Sequence, residues 1–371
     1  MKNKKKDTIL FINYNAYPCI VGGLEVFNLY LINELSKSYS TKTLTFCKKT
    51  MHNDNVNVHV IKQSSFAKLT TPLKAFLFIF KNRKEIRLLH ISYTFAFWTH
   101  YLLHVIVKKI LGIPYMVTIH DGNLAPWKPS WPYKTFFNQA AKVTGVSDRI
   151  IKEYGERTGR EDIIFTPPLI PFNIITPKNK FRNKWNVKPD EFVLLYVGSL
   201  KPLKSVETLI EALGIISSKK LKEYKLKVLI AGDGISRKEL EHRTVELNLY
   251  EQVHFLGNIK TEQVAELYNV ADFFTLCSEY EGLPIVVLEA FANQLPCITS
   301  DAPGLNNISE DNKNTLLFKT KESKDYADKI EMVLNDDRLR LQLEKNGNLY
   351  YQKLFSYEVF ITNFKNIIDA I

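Results

Sequence analysis

Cysteine is scarce in this sequence of 371 residues, and its scarcity excludes several classes of protein. The four cysteines, Cys19, Cys47, Cys277 and Cys297, are scattered and form no Cys-x-x-Cys pair. Isolated thiols do not build a disulfide framework or a cysteine-based zinc site, and they are typical of a reducing compartment. We therefore expect a cytoplasmic protein whose cysteines are small buried apolar residues.

Long uninterrupted apolar runs are also lacking. The basic N-terminus leads into the apolar stretch Ile9–Ile12, which is too short for the core of a signal peptide and fits a first buried strand better. The segment Tyr93–Leu111 approaches membrane-spanning length, but two histidines and two lysines interrupt it. A buried or interface-facing helix is the preferred interpretation there, and a transmembrane helix is the alternative.

Positive charge is concentrated in the first half of the chain. Residues 1–170 hold 24 Lys and Arg against 11 Asp and Glu, whereas residues 171–371 hold 26 against 28. This asymmetry indicates that the first half faces an anionic partner, such as a phospholipid surface, a lipid phosphate or nucleic acid. Because no nucleic-acid-binding module is recognisable, we expect no nucleic-acid partner.

Short apolar runs alternate with segments of helical spacing, which is the pattern of parallel sheets covered by helices. The predicted strands are Ile9–Asn13, Thr43–Phe46, Val56–Ile61, Leu88–Ser92, Tyr115–Ile119, Val143–Val146, Phe192–Val197, Lys227–Ala231, Val253–Leu256, Phe273–Leu276, Cys297–Thr299 and Thr315–Phe318. Three prolines within Thr166–Pro171 mark a domain boundary. The sequence predicts an α/β protein with Rossmann-like domains at 1–170 and 171–354, a helix at 355–371 that packs on the first, and a ligand cleft between them.

The strongest chemical signal is the segment SEYEGLPIVVLEAFA, residues Ser278–Ala292. It follows a predicted strand and opens a helix, so the Glu281 carboxylate would lie beside free backbone N–H groups that can bind sugar hydroxyls. Glu289 lies one to two turns farther along that helix, and a capped helix with two solvated glutamates is the alternative interpretation. The neighbouring residues predicted to contact a ligand are Gly282, Leu283 and Pro284, together with a free N–H at Ile285.

This segment resembles the Glu-x7-Glu motif of glycosyltransferase family 4, whose members are retaining enzymes of the GT-B fold. The resemblance covers roughly residues 8–350 and implies two Rossmann-like domains that face each other across a cleft. It also implies retaining transfer from a nucleotide sugar, in which Glu281 holds hydroxyls of the donor sugar and Glu289 holds the ribose. We expect a hexose or N-acetylhexosamine donor, with uridine diphosphate (UDP) favoured over guanosine diphosphate.

Further residues match the family's donor site. Gly198 and Lys204 match its diphosphate-binding loop, although Ser199 occupies the place of the usual arginine and Lys201 is the nearest substitute. Asn258 falls in the segment that usually approaches the base, and Asn307 falls where the family usually has a glutamate. The tight turn Ala231–Gly234 is a weaker match of the same kind.

In the first half, Gly22 and Gly23 match the family's glycine loop over the donor, although a plain strand-to-helix turn would look the same. His120, followed by Asp121, matches the position that contacts the transferred sugar, and a structural histidine is the alternative. The resemblance implies that His120 orients the sugar or supports positive charge at the anomeric carbon.

The implied mechanism needs no cofactor and no essential metal. The sequence has no Asp-x-Asp motif in a plausible metal-binding setting, so Lys204 and helix N-termini would stabilise the leaving diphosphate. A paired-carboxylate mechanism like that of glycoside hydrolases is not implied for Glu281 and Glu289.

The acceptor is indicated only by the basic first half. In Thr71–Leu89, lysines and arginines interleave with leucine and phenylalanine, which suits an interfacial helix on an anionic membrane, and an ordinary helix packed on a sheet is the alternative. We expect a glycan acceptor, lipid-linked as in bacterial polysaccharide assembly, used on the inner face of the plasma membrane. Trp98, Trp127 and Trp131 would stack on a sugar or lipid, or simply belong to the core.

Two other functions fit parts of the pattern. A nucleotide-sugar epimerase or a phosphorylase can share the architecture, but the segment around Glu281 and Lys204 favours transfer. A catalytically degenerate partner subunit would account for the departures at Ser199 and Asn307, whereas the presence of His120 and both glutamates argues against it.

Overall fold

The computed structural model describes residues 7–13, 23–47, 58–62, 67–93, 98–120, 131–167 and 176–371. The chain divides into two compact units, one made of Met1–Pro171 with Tyr357–Ile371 and one made of Phe172–Ser356. The division therefore falls one residue after the boundary predicted from the proline cluster. Most of that cluster, residues 168–171, lies outside the described residues.

Each unit is built on one sheet whose neighbouring strands all run parallel. The first sheet has the order β3-β2-β1-β4-β5-β6-β7 and the second β10-β9-β8-β11-β12-β13. The strands of the first are β1 Thr8–Asn13, β2 Ser40–Cys47, β3 Val58–Lys62, β4 Ile86–Tyr93, β5 Tyr115–Ile119, β6 Lys142–Gly145 and β7 Ile163–Phe165. Those of the second are β8 Phe192–Val197, β9 Leu226–Ala231, β10 Val253–Gly257, β11 Phe273–Leu276, β12 Cys297–Ser300 and β13 Leu316–Phe318.

Helices connect the strands in both units. They are α1 Gly23–Leu35, α2 Ala67–Asn82, α3 Trp98–Leu111, α4 Trp131–Gln139, α5 Asp148–Thr158, α6 Val206–Ile216, α7 Ser218–Glu223, α8 Arg237–Glu246, α9 Thr261–Val270, α10 Ile285–Ala292, α11 Ser323–Asn335, α12 Asp337–Leu354 and α13 Tyr357–Asp369. The sequence of α5 shows how such helices are delimited. Ser147 precedes it and its hydroxyl accepts from the N–H of Ile150 at 3.3 Å, while Gly159 ends it in the left-handed conformation.

The core of the first unit lies on the two faces of its sheet. Helices α2, α3, α4 and α5 pack on one face, and α1 and α13 pack on the other. This arrangement follows from the right-handed crossover rule, because the chain reverses its direction of travel across the sheet between β3 and β4. The C-terminal helix α13 buries Phe360 and Phe364 against α1 and the sheet, and the first unit accordingly includes Tyr357–Ile371.

Two expectations about composition bear on the fold. Cys277 and Cys297 are buried free thiols, whereas Cys19 lies outside the described residues. Within the described ranges, no helix combines the length and apolarity needed to cross a membrane, and Tyr93–Leu111 contributes the end of β4 and the helix α3. Both α3 and its neighbour α2 pack on the sheet along one side.

Candidate active site

Glycines bring three loops together at the carboxyl edge of the second sheet. The N–H of Gly198, after β8, donates to Ala231 at 3.0 Å, and the N–H of Gly232, after β9, donates to Gly257 at 2.8 Å. A Cβ atom on Gly232 would lie 1.8 Å from the carbonyl oxygen of Gly198, and its φ of +145° is unfavourable for other residues. Only glycine fits there. The tight turn Ala231–Gly234, predicted as a weak match, is therefore a place where the ends of two neighbouring strands come close together.

Lys204 lies beside Glu281 at the same edge. It ends a 3-10 turn, Pro202–Lys204, and its Nζ is 2.6 Å from Oε1 of Glu281. The hydroxyl of Ser278 donates to the same carboxylate oxygen at 2.6 Å. The side chains of Lys204 and Glu281 are 24% and 13% exposed, so the ion pair is partly screened from water while remaining open to a ligand.

Hydrogen bonds to main-chain carbonyls hold the two loops independently of that ion pair. The N–H of Glu279 donates to Leu203 at 2.9 Å, and the thiol of Cys277 donates to the carbonyl of Lys204 at 3.3 Å. The N–H of Glu281 donates to Pro303 at 3.0 Å. The Glu281 carbonyl also lies so close to Gly304 that a Cβ there would be 1.9 Å from the oxygen.

The turn after Glu281 differs from the prediction at one residue. The N–H of Ile285 donates to Leu283 at 2.9 Å, because Pro284, with φ −80° and ψ +80°, closes an inverse γ-turn. Ile285 therefore has no free donor, contrary to the prediction. The N–H groups of Gly282 and Leu283 donate to no protein acceptor among the described residues, and a Cβ on Gly282 would meet open space.

Glu289 extends from α10 to a different partner. Its Oε2 lies 2.6 Å from the hydroxyl of Tyr268, a buried residue of α9. Burial raises the pKa of Glu289 to about 7, and the hydrogen bond from Tyr268 opposes that rise. The carboxyl group therefore changes its charge near neutral pH. Sequence reasoning missed Tyr268, which is 21 residues away.

Three other predicted positions lie at the surface of the second unit. Asn258 follows β10 and is exposed, as is Asn307. The carbonyl of Asn307 accepts from the hydroxyl of Tyr350 at 3.3 Å. Ser199 is half-buried, and its carbonyl accepts from Tyr196 at 3.3 Å.

In the first unit, His120 comes directly after β5 at the carboxyl edge of the sheet. Its ring packs edge-on against Phe27 of α1, with 4.5 Å between centroids. Burial lowers the pKa of His120 to about 3, so the imidazole is neutral at physiological pH. Its Nε2 is buried and has no hydrogen-bond partner among the described residues.

A polar chain beside His120 was also missed. The Nε2 of His90 lies 2.9 Å from the hydroxyl of Thr118, which accepts from Thr144 at 2.9 Å. The three residues lie on neighbouring strands, so only the strand register brings them together. Of the remaining predicted residues, Gly23 opens α1, and Trp131 opens α4 with its side chain 71% exposed. Gly22, Asp121 and Trp127 lie outside the described residues.

Both halves of the chain match known families. Residues 177–349 match the family described as glycosyl transferases group 1, and residues 21–171 match glycosyltransferase family 4. An uncharacterized glycosyltransferase of Methanocaldococcus jannaschii is 32% identical over 278 residues, which is 70% of this chain and 70% of that protein. The chain belongs to the family-4 type of glycosyltransferases.

This glycosyltransferase also resembles proteins that span nearly its full length. A Campylobacter jejuni enzyme, named GalNAc-alpha-(1->4)-GalNAc-alpha-(1->3)-diNAcBac-PP-undecaprenol alpha-1,4-N-acetyl-D-galactosaminyltransferase, is 28% identical over 340 residues, or 88% of this chain and 89% of that one. The crystal structure of Anabaena HepE in complex with UDP has a TM-score of 0.77 at 19% identity, covering 98% of this chain and 100% of that one. The fold is thus GT-B, as the sequence predicted.

Proposed function

We propose that this glycosyltransferase moves a hexose or N-acetylhexosamine, with retention, from a UDP-sugar to a lipid-linked glycan acceptor in cell-surface polysaccharide synthesis. The carrying observation is the cluster of Lys204, Glu281 and Ser278 beside the free N–H groups of Gly282 and Leu283. It combines a cation for a diphosphate with a carboxylate and backbone donors for sugar hydroxyls. HepE, which shares the fold, has been crystallised with UDP and with UDP-glucose, which supports uridine ahead of guanosine.

The donor would exchange partners within this cluster. A diphosphate carries more negative charge than Glu281, so it would draw the ammonium group of Lys204 away from the carboxylate. Ser278 would continue to hold Glu281, whose freed oxygen would accept from hydroxyls of the donor sugar. Lys204 would stabilise charge on the leaving diphosphate, and we propose that no metal ion is essential for this step.

His120 would act as a neutral group. An imidazole with a pKa of about 3 cannot serve as an acid near pH 7. Its buried Nε2 has no partner among the described residues, and we propose that it accepts from a sugar hydroxyl or faces positive charge at the anomeric carbon. This supports the orienting role implied by the family resemblance.

The acceptor side of the proposal includes contact with an anionic membrane. On α2, Leu73, Leu77 and Phe80 are exposed at a spacing that places them on one helix face. Lys74 and Lys81 are exposed beside them, and no acidic residue occurs in either α2 or its neighbour α3. Apolar side chains flanked by lysines suit the surface of an anionic bilayer, and the relative from Campylobacter is named for an undecaprenol-linked substrate.

Vesicle co-sedimentation tests the membrane contact. Wild-type protein should sediment with vesicles of phosphatidylglycerol at low salt, and the double variant Leu73→Ser with Leu77→Ser should sediment less. The matched control is Leu341→Ser with Leu349→Ser, because Leu341 and Leu349 are equally exposed leucines of α12 in the other unit. Equal binding by both variants, or no wild-type binding, would remove the membrane from the proposal.

Thermal unfolding with nucleotides tests the donor. UDP, GDP, ADP and their sugars are added with and without a chelator, and a ligand at about 100 times its dissociation constant should add about 2.7 kcal/mol to the free energy of unfolding. Stabilisation by a UDP-sugar without metal, followed by transfer to an acceptor, is the expected result. Binding without transfer would favour the degenerate partner subunit that Ser199 and Asn307 suggest, and no binding would refute the proposed donor.

A further inference from the structure

We infer that Tyr268 is a positioning residue for the donor nucleotide, because its hydroxyl can hold the carboxyl group of Glu289 in both of its protonation states. The inference rests on the proposed function and on the role that the family resemblance implies for Glu289, which is to bind the ribose of the donor. Tyr268 itself would touch no substrate. Its role is to fix one carboxyl oxygen of Glu289 so that the other faces the nucleotide.

Two hydrogen bonds of one hydroxyl carry the inference. The Tyr268 oxygen lies 2.6 Å from Oε2 of Glu289 and 3.1 Å from the carbonyl oxygen of Val286. A phenol has one hydrogen to donate, so it cannot donate to both oxygens at once. With Glu289 ionised, Tyr268 donates to the carboxylate. With Glu289 protonated, the carboxyl donates to the phenol oxygen and Tyr268 donates to Val286.

The surroundings keep the phenol in place and uncharged. Tyr268 is buried, and its ring packs 5.8 Å from that of Phe274 on β11. Burial raises the pKa of Tyr268 well above its ordinary value, with a contribution from Glu289, so the phenol does not ionise in the neutral range. The nearby Cys297 thiol is likewise kept neutral, since burial raises its pKa.

Among the described residues, Glu289 has only Tyr268 as a recorded side-chain partner. Helix α12 packs on α10 through Gly347 and Asn348, which contact Phe291 and Ala292. The ammonium group of Lys178 donates to the backbone carbonyl of Tyr268 at 3.2 Å. It makes no hydrogen bond or ion pair with the Glu289 carboxyl group in the described structure. Hydrogen bonding by Tyr268 is therefore the main influence that favours the ionised form of Glu289 against its burial.

The consequence is a donor affinity that depends on pH. An ionised Glu289 accepts from the ribose hydroxyls, so affinity should rise with pH through about 7 and then level off. Removing the Tyr268 hydroxyl removes the bond that lowers the pKa of Glu289, so the midpoint moves to higher pH. If the Glu289 midpoint rose from about pH 7 to about pH 8 in the variant, UDP-sugar binding would be about fivefold weaker than in the wild type at pH 7 and almost unchanged at pH 9.

Calorimetric titration with UDP-glucose from pH 5.5 to 9 tests this, because its diphosphate is a diester and does not titrate in that range. The variants are Tyr268→Phe and Glu289→Gln, and Tyr326→Phe is the matched control. Tyr326 is a buried tyrosine of the same unit whose hydroxyl bonds to Thr275. We expect the upward shift only in Tyr268→Phe, and a profile without this step in Glu289→Gln.

A second measurement needs no ligand. Carboxyl ¹³C resonances of glutamate-labelled protein are titrated, with Glu289→Gln identifying the signal, and the Glu289 midpoint should rise in Tyr268→Phe. An unchanged midpoint, or equal losses of affinity at every pH in Tyr268→Phe and Tyr326→Phe, would overturn the inference. If the wild type binds no nucleotide sugar, the proposed function fails, and an unshifted carboxyl titration would then overturn the link between Tyr268 and Glu289 separately.

Discussion

Replacing Lys204 by methionine should weaken UDP binding while leaving the two loops in place. The substitution keeps most of the side-chain volume and removes the cation whose Nζ lies 2.6 Å from Glu281. Two hydrogen bonds between the loops do not involve the ammonium group: the Glu279 N–H donates to the Leu203 carbonyl, and the Cys277 thiol donates to the backbone carbonyl of residue 204. The effect on binding should therefore reflect lost charge and not a displaced loop.

The magnitude follows from the state of the pair before binding. A hydrogen bond to a charged group contributes about 1.5–3 kcal/mol, but the wild type must give up the contact with Glu281 to make the new one with diphosphate. The net loss should therefore be about 1–2 kcal/mol, or roughly 5–30-fold in the dissociation constant. The free energy of unfolding without ligand should also fall by about 1–3 kcal/mol, because a partly buried carboxylate loses its counter-ion.

Calorimetry with UDP and urea unfolding measure the two quantities separately. The control is Lys201→Met, which removes an exposed lysine three residues earlier and should change the dissociation constant less than about twofold. If Lys201→Met weakens UDP binding more than Lys204→Met, the substitute cation is Lys201 and the assignment of the diphosphate site to Lys204 is wrong.

Three further perturbations follow from the same geometry. Glu281→Gln frees Lys204, so UDP should bind at least as tightly as to the wild type in calorimetry while sugar transfer falls sharply; weaker UDP binding would contradict the exchange of partners. Gly304→Ala, at φ +91° and with its Cβ 1.9 Å from the Glu281 carbonyl, should lower the free energy of unfolding by about 1–3 kcal/mol in urea titrations, whereas Gly282→Ala should cost little. Burial lowers the pKa of His120, so as the pH falls the imidazole is protonated in the unfolded chain before it is protonated in the folded protein. The stability that the neutral His120 contributes is therefore present above about pH 6.5 and is lost toward pH 3. His120→Asn should therefore lose less stability than the wild type between pH 7 and pH 5, and parallel curves would refute the burial argument.

The second unit was the more predictable part of the molecule. Its strands lie within a residue or two of the predicted runs, because continuous apolar segments in a parallel sheet are buried on both faces. The strand Ile163–Phe165 was missed, since three residues between a helix and a proline carry too little pattern. The free N–H predicted at Ile285 was wrong because Pro284 closes a turn that residue spacing alone does not reveal.

The residues of the candidate site that the sequence did not predict are mostly brought there by contacts between segments far apart in the chain. Tyr268 and Glu289 lie on different helices, and nothing local to either indicates that their side chains meet. The same holds for His90, whose partner Thr118 is set by the register of β4 and β5. Local motifs predict which residues contact a ligand, whereas the residues that hold those side chains in place are set by the packing of the whole unit.

In the proposed diphosphate site, Ser199 in place of the family's arginine would leave Lys204 as the main cation. The family resemblance implies an arginine at this position, and two cations would then share the diphosphate charge. At the same edge, Arg237 is already bonded to Asp233 at 3.0 Å and to Glu241 at 2.7 Å, and these carboxylates would have to be released before it could substitute. Lys204 has a single carboxylate partner in the described structure, and Ser278 can keep that carboxylate in place when the lysine leaves. We therefore expect donor binding at Lys204 to break the Lys204–Glu281 ion pair and to leave both ion pairs of Arg237 intact.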